Sequence, residues 1–229
     1  MRIFISALFI LICSGLAYGD IIASFDCKKA KTQDEKFICS DESVATLDSK
    51  LTGLYKLSLK VVKPNQSIIK QQTEWLRNIR SQCNDLNCIS RVYSVRIAEI
   101  SDKLNEHTKP IPRIVIAEKK YPSTKSPYCR AVDGGSNFIV NINCNGTSIS
   151  GNIDGIYDCG RKVWGPIDVK GQVTGNIVEV NYEGGFSGEG WAKAYVIISG
   201  SYLYWQIYQE LRIESYEPDS ETLKIKKKL

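Results

Sequence analysis

The chain has 229 residues, with 30 Lys and Arg against 25 Asp and Glu, eight Cys and a single His. A formal net charge of +5, dispersed along the chain, excludes a dedicated nucleic-acid-binding surface. The lone histidine, His107, offers no Ser-His-Asp or Cys-His set, and the cysteine spacings are not those of a zinc site, so neither an enzyme, a metal nor a cofactor is expected.

Residues 1–19 read as a signal peptide. Arg2 supplies the positive end, Ile3 to Ile12 is an apolar run, and Ala17-Tyr18-Gly19 places small residues before a cleavage point after Gly19. The run is shorter than the ~20 residues of a membrane span, and no later segment is apolar enough to make one. Lipidation at Cys13 is disfavoured because Ile12 is bulky where a small residue is needed. The mature chain of 210 residues, beginning at Asp20, is therefore expected in the periplasm or outside the cell, where cysteines pair.

Four helices are predicted next. Thr32 with Glu35 forms a capping box for a short helix to about Cys39. Ser40 or Asp41 caps a second to about Val62, with Val44, Leu47, Leu51, Leu54 and Tyr55 on one face. Lys63-Pro64-Asn65 ends it. A third runs from about Gln66 to Arg80, with Ile68, Gln72, Trp75, Leu76 and Ile79 at helical spacing. A fourth runs from about Asn87 to Asn105, with Ile89, Tyr93, Ile97, Ile100 and Leu104 inward. Residues 20–107 hold apolar faces of their own and are expected to fold alone.

Thr108 to Pro112 is a linker, since each proline disfavours helix in the residue before it. Composition then changes: Gly53 is the only glycine between 20 and 133, and fourteen follow between 134 and 200. Residues 113–229 read as an all-β antiparallel meander of about eight strands, closing into a small barrel or a sandwich. The fold class is thus α+β in two domains. Residues 131–210 carry a net charge of −4, offset by the tail Lys224 to Lys228, which is expected to be a solvated, frayed end.

Turns are predicted at Asp133-Gly134-Gly135, at Gly200-Ser201, and at both copies of a near-repeat, Ile149-Ser-Gly-Asn-Ile153 and Val173-Thr-Gly-Asn-Ile177. Centring the first hairpin on Gly151-Asn152 sets Cys144 opposite Cys159 and predicts a bridge between them. Cys129 is then the unpaired thiol. Tyr202, Tyr204 and Tyr208 share one face of a strand and Trp205 points the other way, as a core or barrel lumen.

The segment from about 24 to 104 resembles the N-terminal domain of LprI-type lysozyme inhibitors. The resemblance rests on Phe25-Asp26-Cys27, Thr32, Glu35, Ile38-Cys39, Leu47-Asp48, Tyr55, Trp75-Leu76, Arg80, Cys83, Cys88, Tyr93 and Arg96-Ile97, in order and at the family's spacing. It implies a small helical envelope module stapled by disulfides, which here pair as Cys27–Cys39 and Cys83–Cys88. Packing is the expected role of the motif side chains Thr32, Glu35, Asp48, Tyr55, Trp75, Arg80, Tyr93 and Arg96, with the arginines on helix-end carbonyls or on Asp48. Residues 113–229 resemble no family.

Gly184 to Gly190 contains a G-x-x-G-x-G run, but a phosphate loop would lie between a strand and a helix, and this one lies between strands. The candidate partner-binding loop is Phe186, Ser187, Gly188 and Glu189, with Trp191 beside it, because Phe and Trp are anchor types. Three functions follow: an inhibitor of a lysozyme or other peptidoglycan hydrolase, an immunity protein against one antibacterial toxin, and a small-ligand or glycan carrier using the barrel lumen. The first two require a protein partner. None requires a nucleic acid or a membrane span.

Overall fold

A computed structural model of the chain describes residues 22–121, 137–157, 162–184, 190–212 and 220–228. Four helices, α1 (Gln33–Ser40), α2 (Glu42–Val61), α3 (Gln66–Asn78) and α4 (Leu86–His107), precede eight strands. These are β1 (Ile114–Lys120), β2 (Asn137–Asn145), β3 (Ser148–Tyr157), β4 (Lys162–Thr174), β5 (Ile177–Glu183), β6 (Gly190–Ser199), β7 (Tyr202–Arg212) and β8 (Ser220–Lys228). Consecutive strands pair antiparallel and β8 returns to β1, giving a closed barrel without free edges. The basic tail is therefore not a frayed end. Alternation places Leu223 and Ile225 against the lumen while Lys226 reaches Glu118 at 3.5 Å, so the lysines are the solvent face of the closing strand.

Helix starts follow their caps. The Thr32 hydroxyl accepts from the Glu35 amide, and the Glu35 carboxylate accepts from the Thr32 amide at 3.0 Å. Asp41 caps α2 through the Val44 amide, and Asp85 caps α4 through the Cys88 amide. Disulfides Cys27–Cys39 and Cys83–Cys88 close the two expected short loops. Helix α3 ends at Asn78, before a 3-10 turn at Arg80–Gln82; Leu76 within it and Ile79 just after it stay 36% and 47% exposed.

The barrel turns at Gly146-Thr147, Gly175-Asn176 and Gly200-Ser201, with the glycine at positive φ each time. The first differs from the prediction. Gly146-Thr147 already reverses the chain, so Gly151 and Asn152 lie inside β3, opposite Ile142 and Asn141. Cys144 therefore faces Ile149 and is a free thiol, not half of a Cys144–Cys159 bridge. Cys129, Cys159 and the Asp133-Gly134-Gly135 turn lie outside the described residues, as do residues 1–21. Gly151 has a different duty: a Cβ there would lie 1.9 Å from the Asn141 carbonyl oxygen. Adjacent backbones approach too closely for any side chain.

Two apolar cores share one wall. The lumen is filled by Phe138, Ile153, Leu203 and Trp205, all fully buried, with Phe138 and Tyr182 rings 5.8 and 5.9 Å from the Trp205 ring. The helical core holds Ile38, Leu54, Leu57, Tyr93 and Leu104, and it also takes Ile177, Tyr195, Ile197 and Tyr208 from the outer wall of the barrel. The tyrosines of β7 thus sort as Tyr208 and Tyr204 toward the helices and Trp205 into the lumen.

Gly53 explains how close the layers come. A Cβ there would sit 2.5 Å from Tyr208 Cβ and 3.2 Å from the Tyr195 ring. The segment predicted as a linker is docked as well. The Lys109 amide donates to the Ile198 carbonyl at 2.9 Å, and Asn176 donates to the carbonyls of Asn105 and Thr108.

Candidate functional site

The meander topology sorts the barrel into two rims. One carries the three tight turns and meets the end of α4, where the Asn176 amide donates to Asn105 Oδ1 at 2.8 Å. The other is formed by the ends of β1 and β2, β3 and β4, β5 and β6, and β7 and β8. The predicted partner loop follows β5 and precedes β6 in sequence, and the ends of those two strands lie at this second rim. Phe186, Ser187, Gly188 and Glu189 lie outside the described residues, whereas Trp191 opens β6.

At the base of that loop, register places Trp191 directly between Glu183 of β5 and Leu211 of β7. Ala192 next to it is buried in the lumen, so Trp191 is on the outer wall. Leu211 is 42% exposed, and the Lys193 ammonium lies 5.3 Å from the Trp191 ring centroid. The result is a small apolar pair with an acid and a base at its margins. Leu211 escaped the sequence reading because strand register decides which residue stands beside Trp191. The bulge between Lys193 and Ala194 makes that register unreadable from alternation.

The motif side chains of the helical half meet in its interior. Asp48 is buried and accepts from the Tyr93 hydroxyl at 2.8 Å and from the Ser24 amide at 2.8 Å. Arg80 pairs with Asp34 at 2.8 Å and lies 3.5 Å from the Tyr93 oxygen, so it reaches Asp48 through Tyr93 and not directly. Arg96 donates to Gln72 Oε1 at 3.1 Å and to Glu99 at 2.8 Å. Trp75 meets Tyr93 edge-on at 5.1 Å, and Tyr55 packs half-buried against the same core. Burial pushes the Asp34 carboxyl up, but the Thr32 hydroxyl and the Arg80 guanidinium outweigh it and hold the group below its ordinary range. Burial and the neighbouring Asp48 push the Tyr93 phenol strongly upward, so it remains a donor. Asp48, Tyr93 and Arg80 thus bond in sequence, and Arg80 and Arg96 are held by Asp34, Gln72 and Glu99 of the same helical half, which is the arrangement of a structural network.

His107 is exposed at the end of α4, its Nδ1 3.0 Å from the Lys103 carbonyl oxygen. The Ser199 hydroxyl donates to the His107 backbone carbonyl at 3.1 Å and not to the ring. Among the described residues no group of His, Cys, Asp and Glu is placed to hold a metal ion, and no helix is long and apolar enough to cross a membrane. No family model matches this chain, and neither any curated protein nor any solved structure does.

Proposed function

We propose that this protein is an exported envelope protein of the LprI type that inhibits a lysozyme or other peptidoglycan hydrolase by binding it. The observation that carries the reading is the outward Trp191–Leu211 pair between Glu183 and Lys193, at the base of the segment containing Phe186 and Ser187. An anchor aromatic with a charged margin is the composition of an interface centre. The two disulfides agree with an oxidising compartment. The filled lumen speaks against the carrier reading, because Phe138 and Trp205 occupy the space a ligand would need.

The mature chain from Asp20 should slow at least one hydrolase stoichiometrically while cleaving nothing itself. Phe186→Ala, Ser187→Ala and Trp191→Ala should each weaken inhibition, by about 2 kcal/mol for a centre residue. Thermal stability should change little for the loop positions. Inhibition carried wholly by residues 20–107 would move the contact to the helices and keep the function. Silence toward animal, phage and bacterial hydrolases would remove the function and put the toxin-immunity reading first.

A further inference from the structure

The helices pack on the outer wall of β5, β6 and β7. On the other side of the barrel, Val115, Val140, Ile142, Ile149 and Ile153 point into the lumen, so alternation turns the residues between them outward. Register sets Ile116, Asn141 and Asn152 in one row across β1, β2 and β3. Ile114, Asn143 and Ser150 form the next row. An open groove of about 330 Å³ is lined by both rows through Ile114, Ile116, Asn141, Asn143 and Asn152, and no charged residue lines it. Its volume lies at the low end of the roughly 300–1,000 Å³ usual for small-molecule sites.

The composition of this wall opposes its secondary structure. Asn is disfavoured in strands, yet β2 carries Asn137, Asn141, Asn143 and Asn145 on its outer face. Ile139 completes a face without charge, in a chain of which 24% of the residues are charged. Positions where residue type and local structure conflict are the expected places for function. Two of the four have a structural use: Asn137 Oδ1 accepts from the Ile156 amide at 3.2 Å, and Asn145 precedes the turn at Gly146. Asn141 is engaged differently. Its Nδ2 donates to Asn152 Oδ1 at 2.7 Å, which fixes two planar amides next to one another and uses one half of each. The Asn141 Oδ1 acceptor and the Asn152 Nδ2 donor make no other hydrogen bond among the described residues, and both amides line the groove.

From a neutral acceptor and a neutral donor held together beside aliphatic side chains, we propose that this groove binds a neutral polysaccharide chain through a pair of vicinal hydroxyls. One hydroxyl donates to Asn141 Oδ1, its neighbour accepts from Asn152 Nδ2, and the C–H face of the ring lies against Ile114 and Ile116. An anion finds no cation in the lining, and a cation finds no carboxylate there. A trans peptide group holds its N–H and C=O on opposite edges, so it cannot engage both free groups at once. The rows run past the groove, from Asn152 to Asp168 and from Ser150 to Lys170, so flanking rings also meet polar side chains, which favours a chain over a single sugar. The site faces away from Trp191 and Leu211, across the barrel, and does not rest on the inhibitor reading.

The test titrates the mature chain with cellotetraose and maltotetraose, followed by NMR shifts of the Asn141 and Asn152 side-chain amides and the Ile116 methyls. Tetraethylene glycol, which lacks vicinal hydroxyls, is the control. Saturable shifts are expected with at least one tetrasaccharide and not with the control. Asn152→Asp keeps the acceptor for Asn141 and removes the free donor, and it should weaken binding about tenfold. Asn181→Asp makes the same change on β5, outside the groove, and should leave binding unchanged. No saturable shift with either tetrasaccharide, equal shifts with the control, unchanged binding by Asn152→Asp, or equal weakening by both variants would each overturn the site. Glucose binding as tightly as the better tetrasaccharide would overturn the chain as occupant. No hydrolase enters the test, so its result and that of the inhibition assay are judged apart.

Discussion

The two cores of this molecule are built on opposite terms. The barrel lumen is closed by its own eight strands and filled with apolar side chains such as Phe138, Ile153 and Leu203. The helical core is threaded by Asp34, Asp48, Arg80, Tyr93 and Arg96, and it borrows Ile177, Tyr195, Ile197 and Tyr208 from the barrel's outer wall. A closed sheet satisfies its backbone and its inner face at once. A layer of four helices cannot do so at this size, and the difference is supplied by disulfides, buried polar bonds and a borrowed wall. The helical layer should therefore be the weaker partner.

Gly53→Leu attacks the borrowed wall and should have the largest effect. Even a Cβ lies 2.5 Å from Tyr208 Cβ, so a full side chain must lift α2 off the barrel. We expect a loss of about 3 kcal/mol, read by urea denaturation, concentrated in the helical signal. A neutral result would show that the layers are not in contact here in solution. Removal of one bridge alone, Cys27–Cys39 or Cys83–Cys88, comes next, at ~2–3 kcal/mol for such short loops. Helical ellipticity should fall while the near-ultraviolet signal of Trp205 in the lumen persists, and simultaneous loss of both would break the comparison.

Tyr93→Phe sharpens it further. The Trp75 edge contact survives, but Asp48 loses the Tyr93 hydroxyl and keeps the Ser24 amide, which should cost about 1–3 kcal/mol. Full stability in the variant would show that the network is ornamental. The smallest effect is that of acid. Asp34 has its folded value depressed, so its contribution is present above the ordinary carboxylate range and is lost as pH falls through the folded value. Helical signal should drop between neutral and acidic pH before the barrel does, and Asp34→Asn should flatten that slope. A barrel that melts first would reverse the order.

The near-repeat shows where reading a sequence stops. Gly175-Asn176 is a turn as expected, whereas Gly151-Asn152, with the same letters between β-formers, is mid-strand. Propensity is local, and only the competition with Gly146-Thr147 settles which pair turns. The error propagated to Cys144, because a shift of register moves every cross-strand partner. The candidate rim was half legible. Trp191 was readable by type, but Leu211 needed the pairing of β6 with β7. The groove on β1 to β3 was not legible at all, since a turn placed at Gly151-Asn152 hides the pairing of Asn141 with Asn152.

By itself the sequence determined the Thr32–Glu35 capping box, the two helical disulfides, the four helices followed by a strand meander, and the closure into a barrel or sandwich, while the choice of Asp41 over Ser40 and the Asp85 cap of α4 came from the structure. Caps, short-loop bridges and periodicity act within a few residues, so their energies are decided locally. The tertiary structure decided the barrel over the sandwich, the β2–β3 register, the fate of the lysine tail as a closing strand, and the shared wall between the cores. It also gave the one glycine of the helical half its reason, because Gly53 serves a contact with Tyr195 and Tyr208 that no local pattern encodes.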